Sequence, residues 1–171
     1  DDNRAAGFES LAIPHNSNGS NGKMFMLTDN SGRPLDDAYA NQRIRNEPLV
    51  EITQIKGSSD THPALSPFDE WAEFEIFPYR IATYLDSDPN GSYVRQALLN
   101  GIQMQAGQGF NPYKFGVIGS SDTHNGTHAG EEYDHWGGSS LFDADGVLRG
   151  SVPLTEPTAD DDLYAQTYYD K

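Results

Sequence analysis

A short apolar strand that runs directly into an Asp-Thr-His triplet is the feature that most constrains this chain. The segment reads Lys-Phe-Gly-Val-Ile-Gly-Ser-Ser-Asp-Thr-His and covers residues 114–124. Because side chains two positions apart on an extended backbone point to the same side, Asp122 and His124 can converge on one point. An oxygen ligand beside a nitrogen ligand, at the end of a buried strand, suits a catalytic metal ion. The alternative is a strand followed by a polar turn, with Asp122 capping the chain that follows.

Composition limits the partners of the chain. Its 171 residues are enough for one domain with a sizeable core. A net charge of -15 disfavours nucleic acids and anionic membrane surfaces, and it favours divalent cations. The chain has no cysteine, so any transition metal must be bound by His, Asp and Glu. No apolar run approaches the roughly 20 residues of a membrane span, and we expect a soluble protein, periplasmic or extracellular in preference to cytoplasmic.

The spacing of apolar residues predicts an α/β fold that is rich in loops. Strands are predicted over residues 8–14, 48–53 and 114–119, and helices over residues 36–45 and 89–105. Asp88 and Pro89 have the residue types of a helix cap and a first helical position. A helix followed by a buried strand is typical of α/β units, and the 17 glycines and 10 prolines indicate many loops.

Further candidate ligands accompany the other predicted strands. His15 follows the first strand, Glu51 lies in the second, and His62 lies in the polar loop beyond it. Ligands and catalytic groups gather at the carboxyl ends of strands in α/β proteins, so we predict a metal site that includes all three with Asp122 and His124. A carboxylate such as Glu51 is costly to bury unless a cation pairs with it. Its alternative is a surface-facing residue on a half-exposed strand.

Three segments of the sequence resemble a known group of proteins. They are Ile-Pro-His-Asn-Ser-Asn at 13–18, the Glu-Ile-Thr-Gln-Ile-Lys-Gly-Ser-Ser-Asp-Thr-His-Pro run at 51–63, and residues 111–124. The last of these is similar to the closing Gly-Ser-Asp-Ala-His signature of the polymerase-and-histidinol-phosphatase (PHP) superfamily. Over residues 8–130 the chain resembles an uncharacterised, mostly bacterial family that is itself similar to the PHP phosphoesterases.

The resemblance implies a fold, a cofactor and a reaction. The fold would be the C-terminal part of a distorted, PHP-like β/α barrel with two or three metal ions at the strand ends. His15, Asp122 and His124 match ligand motifs of the superfamily, and His62 lies where another histidine is often supplied. Manganese, zinc or iron suits such mixed ligands. The reaction would be hydrolysis of a small anionic substrate, a phosphate ester, by a metal-activated water.

The resemblance also implies a domain division, with one departure from the superfamily. Residues 1–130 would form a partial PHP-like metal-binding domain, and residues 131–171 a C-terminal extension with a hairpin and an acidic tail. The opening His-x-His motif is absent, because no histidine precedes His15. We therefore expect the C-terminal portion of a longer protein, with the missing N-terminal part as a partner. Two alternatives are a non-catalytic remnant that binds at most one cation or a partner chain, and a secreted calcium-dependent binding module.

Overall fold

The computed structural model describes residues 2–54 and 56–122. By its internal contacts the chain divides into two units, Asp1–Ser120 and Ser121–Lys171. Every helix and strand given below belongs to the first unit. The predicted boundary at residue 130, and the predicted hairpin and acidic tail of residues 131–171, lie outside the described residues and stay predictions.

The first unit contains short helices and strands, joined in part by long loops. In chain order they are helix α1 (Asp2–Ala5), a single 3₁₀ turn (Ser17–Gly19), helix α2 (Asp37–Asn46), strands β1 (Leu49–Gln54) and β2 (Gly57–Ser58), helix α3 (Val94–Gln108) and strand β3 (Gly116–Gly119).

Strand β1 is the centre of a small sheet with the strand order β2-β1-β3. Strand β2 runs antiparallel to it, with Ser58 opposite Thr53. Strand β3 runs parallel to it, with Ile118 opposite Glu51. This mixture of helices with a three-stranded sheet agrees with the predicted α/β class. Within the described residues the sheet is open and does not close into a barrel.

Helix α2 forms where the sequence predicts it, because its signals are local. Asp36 caps the helix by accepting a hydrogen bond from the backbone N–H of Tyr39 at 2.8 Å. Asp37 adds a negative charge in the first turn, where it interacts favourably with the helix dipole. The predicted helix over residues 36–45 is thereby confirmed to within one residue at each end.

Helix α3 begins at Val94, later than the predicted start at Pro89. The residues before it form a turn in which the Ser92 hydroxyl donates to the carbonyl of Asp88 at 2.6 Å. The same hydroxyl accepts a hydrogen bond from Gly22 N–H at 2.7 Å. This contact with a distant segment replaces the helical turn that the local sequence favours. The apolar side chain of Ile102, in the middle of this helix, is 63% exposed.

The core packs around two aromatic rings and a buried guanidinium. Arg43 is 8% exposed and lies over the rings of Phe25 and Tyr113, at 5.7 and 5.0 Å from their centroids. Its Nη2 donates to the carbonyl of Met24 at 2.8 Å, and its Nε donates to Glu47 at 2.6 Å. The buried apolar members of the core are Phe25, Leu35, Val50, Val94, Ala97, Met104 and Tyr113.

Two strand predictions need correction. Residues 8–14 belong to no strand, and Phe8 and Leu11 are 67% and 58% exposed. The segment runs beside the start of β1, where the Ala12 N–H donates to the carbonyl of Asn46 at 2.7 Å. Strand β3 does form, but Val117 on it is 52% exposed. Apolar composition does not by itself produce burial, and within the described residues only one side of β3 has a neighbouring strand.

A close approach between α3 and the following loop yields a stability prediction. A Cβ atom on Gly101 would lie 2.8 Å from Cγ of Asn111, whose buried side chain accepts the Tyr113 N–H at 2.8 Å. We expect Gly101→Ala to lower the free energy of unfolding by about 1–3 kcal/mol, measured by urea denaturation, because the amide must move.

The matched control is Gly107→Ala in the same helix. A Cβ atom there meets nothing within 4 Å. We expect this change to raise the free energy of unfolding by about 0.5–1 kcal/mol, since alanine favours the helix. Equal stabilisation by both substitutions would show that the Gly101–Asn111 approach is not close-packed.

Candidate functional site

Glu51, on the central strand, is buried with a side chain that is 6% exposed. Its backbone N–H donates to the carbonyl of Pro14 at 3.0 Å, and its Oε1 accepts from the backbone N–H of Asn16 at 3.1 Å. The chain at residues 14–16 therefore wraps around Glu51, and His15 lies between the two contacts. The structure thus brings two predicted site residues together, with the side chain of His15 exposed to solvent. The alternative of a surface-facing Glu51 is wrong.

The turn that holds Glu51 depends on a left-handed residue. Asn16 has φ 56° and ψ 32°, a conformation that asparagine adopts more readily than most residues. Its Oδ1 accepts a hydrogen bond from the amide of Gln54, at the end of β1. Two residues on, Asn18 donates to the carbonyl of Lys56 at 2.9 Å and to the Ser59 hydroxyl at 3.3 Å. The Asn16–Gly19 turn is thus attached to β1 and to the chain that follows it.

Two polar groups in this turn region lack a balancing partner. The hydroxyl of Ser17 is fully buried and makes no hydrogen bond in the part of the chain that the structure describes. Glu51 forms no ion pair with any lysine, arginine or histidine among those residues. A buried hydroxyl without a partner costs about 1–3 kcal/mol, and a buried carboxylate without a cation costs more.

His62, the third predicted ligand, is engaged in its own turn. Its Nδ1 accepts a hydrogen bond from the backbone N–H of Ala64 at 3.1 Å, and its ring packs against Tyr93 at 5.5 Å between centroids. Because a neutral imidazole carries one proton, an accepting Nδ1 leaves that proton on Nε2. In this conformation the ring therefore has no free lone pair for a metal ion. Burial also raises the pKa of Tyr93 to about 12, so the neighbouring phenol stays neutral.

Asp60, the carboxylate nearest to His62 in sequence, is paired with a cation. Its Oδ2 accepts from Nη2 of Arg95 on α3, whose Nη1 also contacts Oδ2 of Asp69. The hydrogen bonds from Arg95 hold the pKa of Asp69 below its usual value. This arrangement gives Asp60 a role in joining the loop after β2 to α3.

The last two predicted ligands follow strand β3. Asp122, in the second unit, has a left-handed backbone with φ 54°. His124 lies outside the described residues. Within residues 2–54 and 56–122, no group of three or more His, Asp and Glu side chains is arranged to hold a metal ion. The assignment of His15, Glu51, His62, Asp122 and His124 as ligands therefore stays a prediction.

Comparison with known proteins places the chain in a family. Residues 1–166 match the family described as Protein of unknown function (DUF3604). The chain belongs to this family. The uncharacterised family expected from the sequence is thereby confirmed, whereas the similarity of the DUF3604 family to the PHP superfamily stays a prediction. No curated protein and no solved structure matches the chain. Among the described helices of this DUF3604 member, none has the length and apolar character needed to cross a membrane.

Sequence reasoning missed three polar residues, Asn16 and Ser17 in the turn that holds Glu51 and Gln54 on β1. They lie in the same sequence segments as His15 and Glu51. The available signal was the Asn-Ser-Asn triplet after His15, since asparagine is common in left-handed turns. The contact between Asn16 and Gln54 joins positions far apart in the sequence, so local patterns do not indicate it.

The environment of His62 predicts a pH dependence of stability. Partial burial lowers the pKa of this ring below its usual value near 6.5. The unfolded chain therefore takes up a proton more readily than the folded chain, and the free energy of unfolding should fall as the pH drops through about 6.5. Protonation of Nδ1 would also remove the acceptor for Ala64. Urea denaturation between neutral and mildly acidic pH measures this slope.

His62→Gln should reduce that slope, because the titrating group is gone. His15→Gln, a change at an exposed histidine, serves as the control and should retain it. An unchanged slope in His62→Gln would mean that the ring does not titrate differently on folding.

Proposed function

We propose that this DUF3604 protein is a metal-dependent hydrolase, with phosphate esters as the class of substrate. The observation that carries the proposal is the buried carboxylate of Glu51, which has a backbone N–H as its hydrogen-bond donor and no cation paired with it among the described residues. A single neutral donor compensates only part of the cost of desolvating a carboxylate. A bound divalent cation would supply the missing positive charge.

The residues on either side of Asn16 in the sequence have atoms that a metal ion can bind. His15 offers an exposed imidazole, and Ser17 offers a buried hydroxyl oxygen without a partner in the described chain. Nitrogen and oxygen ligands together suit manganese, zinc or iron. The overall charge of -15 would favour any divalent cation at such a position. These residues would supply part of a metal site. The remaining ligands would come from other segments of the chain.

Two further ligands are proposed from the closing motif, which follows strand β3 in the sequence. Strands β1 and β3 are parallel, so their carboxyl ends lie at the same edge of the sheet. Beyond β3, the Ser120 N–H donates to the carbonyl of Thr53 at 3.2 Å, so the chain leaves the sheet beside the end of β1. Asp122 and His124 follow in the sequence. We propose both as ligands on their resemblance to the PHP signature, with the PHP-like barrel as the finer fold proposal.

In this proposal the chain holds and orients the acidic ligand. The Asn16 N–H fixes one oxygen of Glu51, and the Gln54 amide fixes the Asn16 side chain in turn. Such contacts behind a ligand set its orientation and affinity. Divalent metal ions, when bound, lower the pKa of a coordinated water and neutralise charge that develops on a phosphoryl group.

A non-catalytic remnant is the second candidate. It would bind at most one cation or a partner chain and would not hydrolyse a substrate. The number of metal ions per chain separates the two functions. Two or three bound ions favour the hydrolase, and none or one favours the remnant.

Replacing Glu51 by glutamine tests the central observation. We expect Glu51→Gln to weaken manganese or zinc binding by at least about tenfold, roughly 1.4 kcal/mol, in calorimetric titrations of the full chain. Without metal, the same variant should be as stable as the wild type or more so, since a buried unpaired charge has been removed. Glu73→Gln, at an exposed carboxylate, is the control and should alter neither quantity. Unchanged affinity in Glu51→Gln would contradict the proposal.

The closing motif is tested by Asp122→Ala and His124→Ala. We expect either change to abolish metal binding by the purified chain, because each removes a proposed ligand. Elemental analysis after dialysis against manganese or zinc measures the metal content. Full metal content in both variants would show that the motif binds no metal. A rise in melting temperature with calcium alone, unaffected by His15→Ala, would instead favour the calcium-binding module.

A further inference from the structure

A separate pocket lies in the first unit, between the loop after β2 and the turn that follows it. Its volume is about 240 Å³, and its lining residues are Ser58, Asp60, Thr61, Trp71 and Phe74. This volume admits a small organic molecule of several heavy atoms. None of these residues is among the five predicted metal ligands.

The two aromatic residues of the pocket are exposed on an anchored turn. Trp71 and Phe74 are 72% and 61% exposed. The Phe74 N–H donates to the carbonyl of Trp71 at 3.0 Å, and the Trp71 N–H donates to Asp69 at 3.0 Å. Ala72, between them, is 2% exposed and fixes the turn against the protein. The rings are therefore held in solvent by an ordered backbone, an arrangement that prepares them to contact a ligand.

The hydroxyls of the pocket are already hydrogen-bonded within the protein. Ser58 Oγ accepts from the Asp60 N–H at 3.2 Å, and Thr61 Oγ1 shares a hydrogen bond with Ser66 Oγ at 2.7 Å. A ligand rich in hydroxyls, such as a sugar, needs several free hydrogen-bonding partners. The pocket offers aromatic surface instead, so its chemistry favours a ligand with apolar substituents.

The charge around the pocket favours a cation. Residues 57–79 contain five acidic residues and no lysine or arginine. Arg95 is shared between Asp60 and Asp69, so this trio keeps one net negative charge. Glu70, Glu73 and Glu75 are exposed on the same segment. An anion would be repelled from this surface, whereas a cation would be drawn to it.

We propose that this pocket binds a small organic ammonium ion, with Trp71 and Phe74 contacting its alkyl groups. Aromatic faces attract cations through the ring quadrupole, and sites for quaternary ammonium groups combine such faces with nearby negative charge. The apolar substituents of the cation match the aromatic walls, and its charge matches the acidic segment. The site does not depend on the proposed metal ions, so binding should persist in the presence of a chelator.

The test compares choline chloride with its neutral carbon isostere, dimethylbutanol, on the full chain. Binding is measured by calorimetry and by the shift of the Trp71 indole N–H signal in NMR spectra. We expect choline to bind about 2- to 5-fold more tightly than the isostere, which is the contribution of a cation–π contact of about 0.5–1 kcal/mol at exposed rings. Affinity should fall as salt is raised. Equal affinity for the two compounds, binding of glucose in place of choline, or no binding of choline would each overturn the proposal.

Two variants locate the site. Trp71→Ala should lower choline affinity by at least about threefold, in line with the loss of one cation–π partner. Phe68→Ala, at a fully exposed ring that does not line the pocket, is the matched control and should leave affinity unchanged. Thermal melting confirms that both variants are folded, since neither side chain is buried. Equal loss in both variants, or loss in neither, would contradict the assignment of the pocket.

Discussion

The buried carboxylate of Glu51 is the constraint on which this structure depends. It lies on the central strand of the sheet and is held by Pro14 and Asn16, which lie 35 or more positions earlier in the chain. The hydrogen bond between Glu51 and Asn16 fixes the left-handed turn at Asn16. Further hydrogen bonds attach this turn to β1 and to the chain after β2. A charge in such a position is expensive unless it is compensated. The same feature therefore organises the local fold and supports the proposed cation site.

The scaffold around Glu51 is held by contacts between distant segments. Arg43 joins helix α2 to the Met24 carbonyl and to the rings of Phe25 and Tyr113. Arg95 joins helix α3 to the loop after β2 through two carboxylates. These buried or half-buried guanidinium groups connect segments that are far apart in the sequence. A loop-rich, acidic chain thus uses its small number of arginines as cross-links within the first unit.

The sequence predicted those elements whose signals are local. Helix α2 has its cap at Asp36, and strand β1 has apolar, mostly β-branched residues on both sides of Glu51, so the predicted bounds of both elements lie close to the observed ones. The start of α3 was wrong because Ser92 binds Gly22, a contact between distant positions that overrides a good local cap. Residues 8–14 were apolar yet belong to no strand, since composition does not reveal whether a partner strand is available. For the site, His15 and Glu51 do come close, but not as two strand ends, because residues 8–14 form no strand and Glu51 lies within β1. The accepting Nδ1 of His62 depends on the geometry of its own turn, which the sequence does not indicate.

The central claim is that a divalent cation binds beside Glu51. It is tested most directly by adding substoichiometric manganese to isotopically labelled protein and following the loss of backbone amide signals in NMR spectra. The account predicts selective broadening of the Asn16, Ser17 and Glu51 signals, with residues 69–75 affected only at higher metal concentrations. Uniform broadening, or broadening that begins in the acidic segment of residues 69–75, would contradict it.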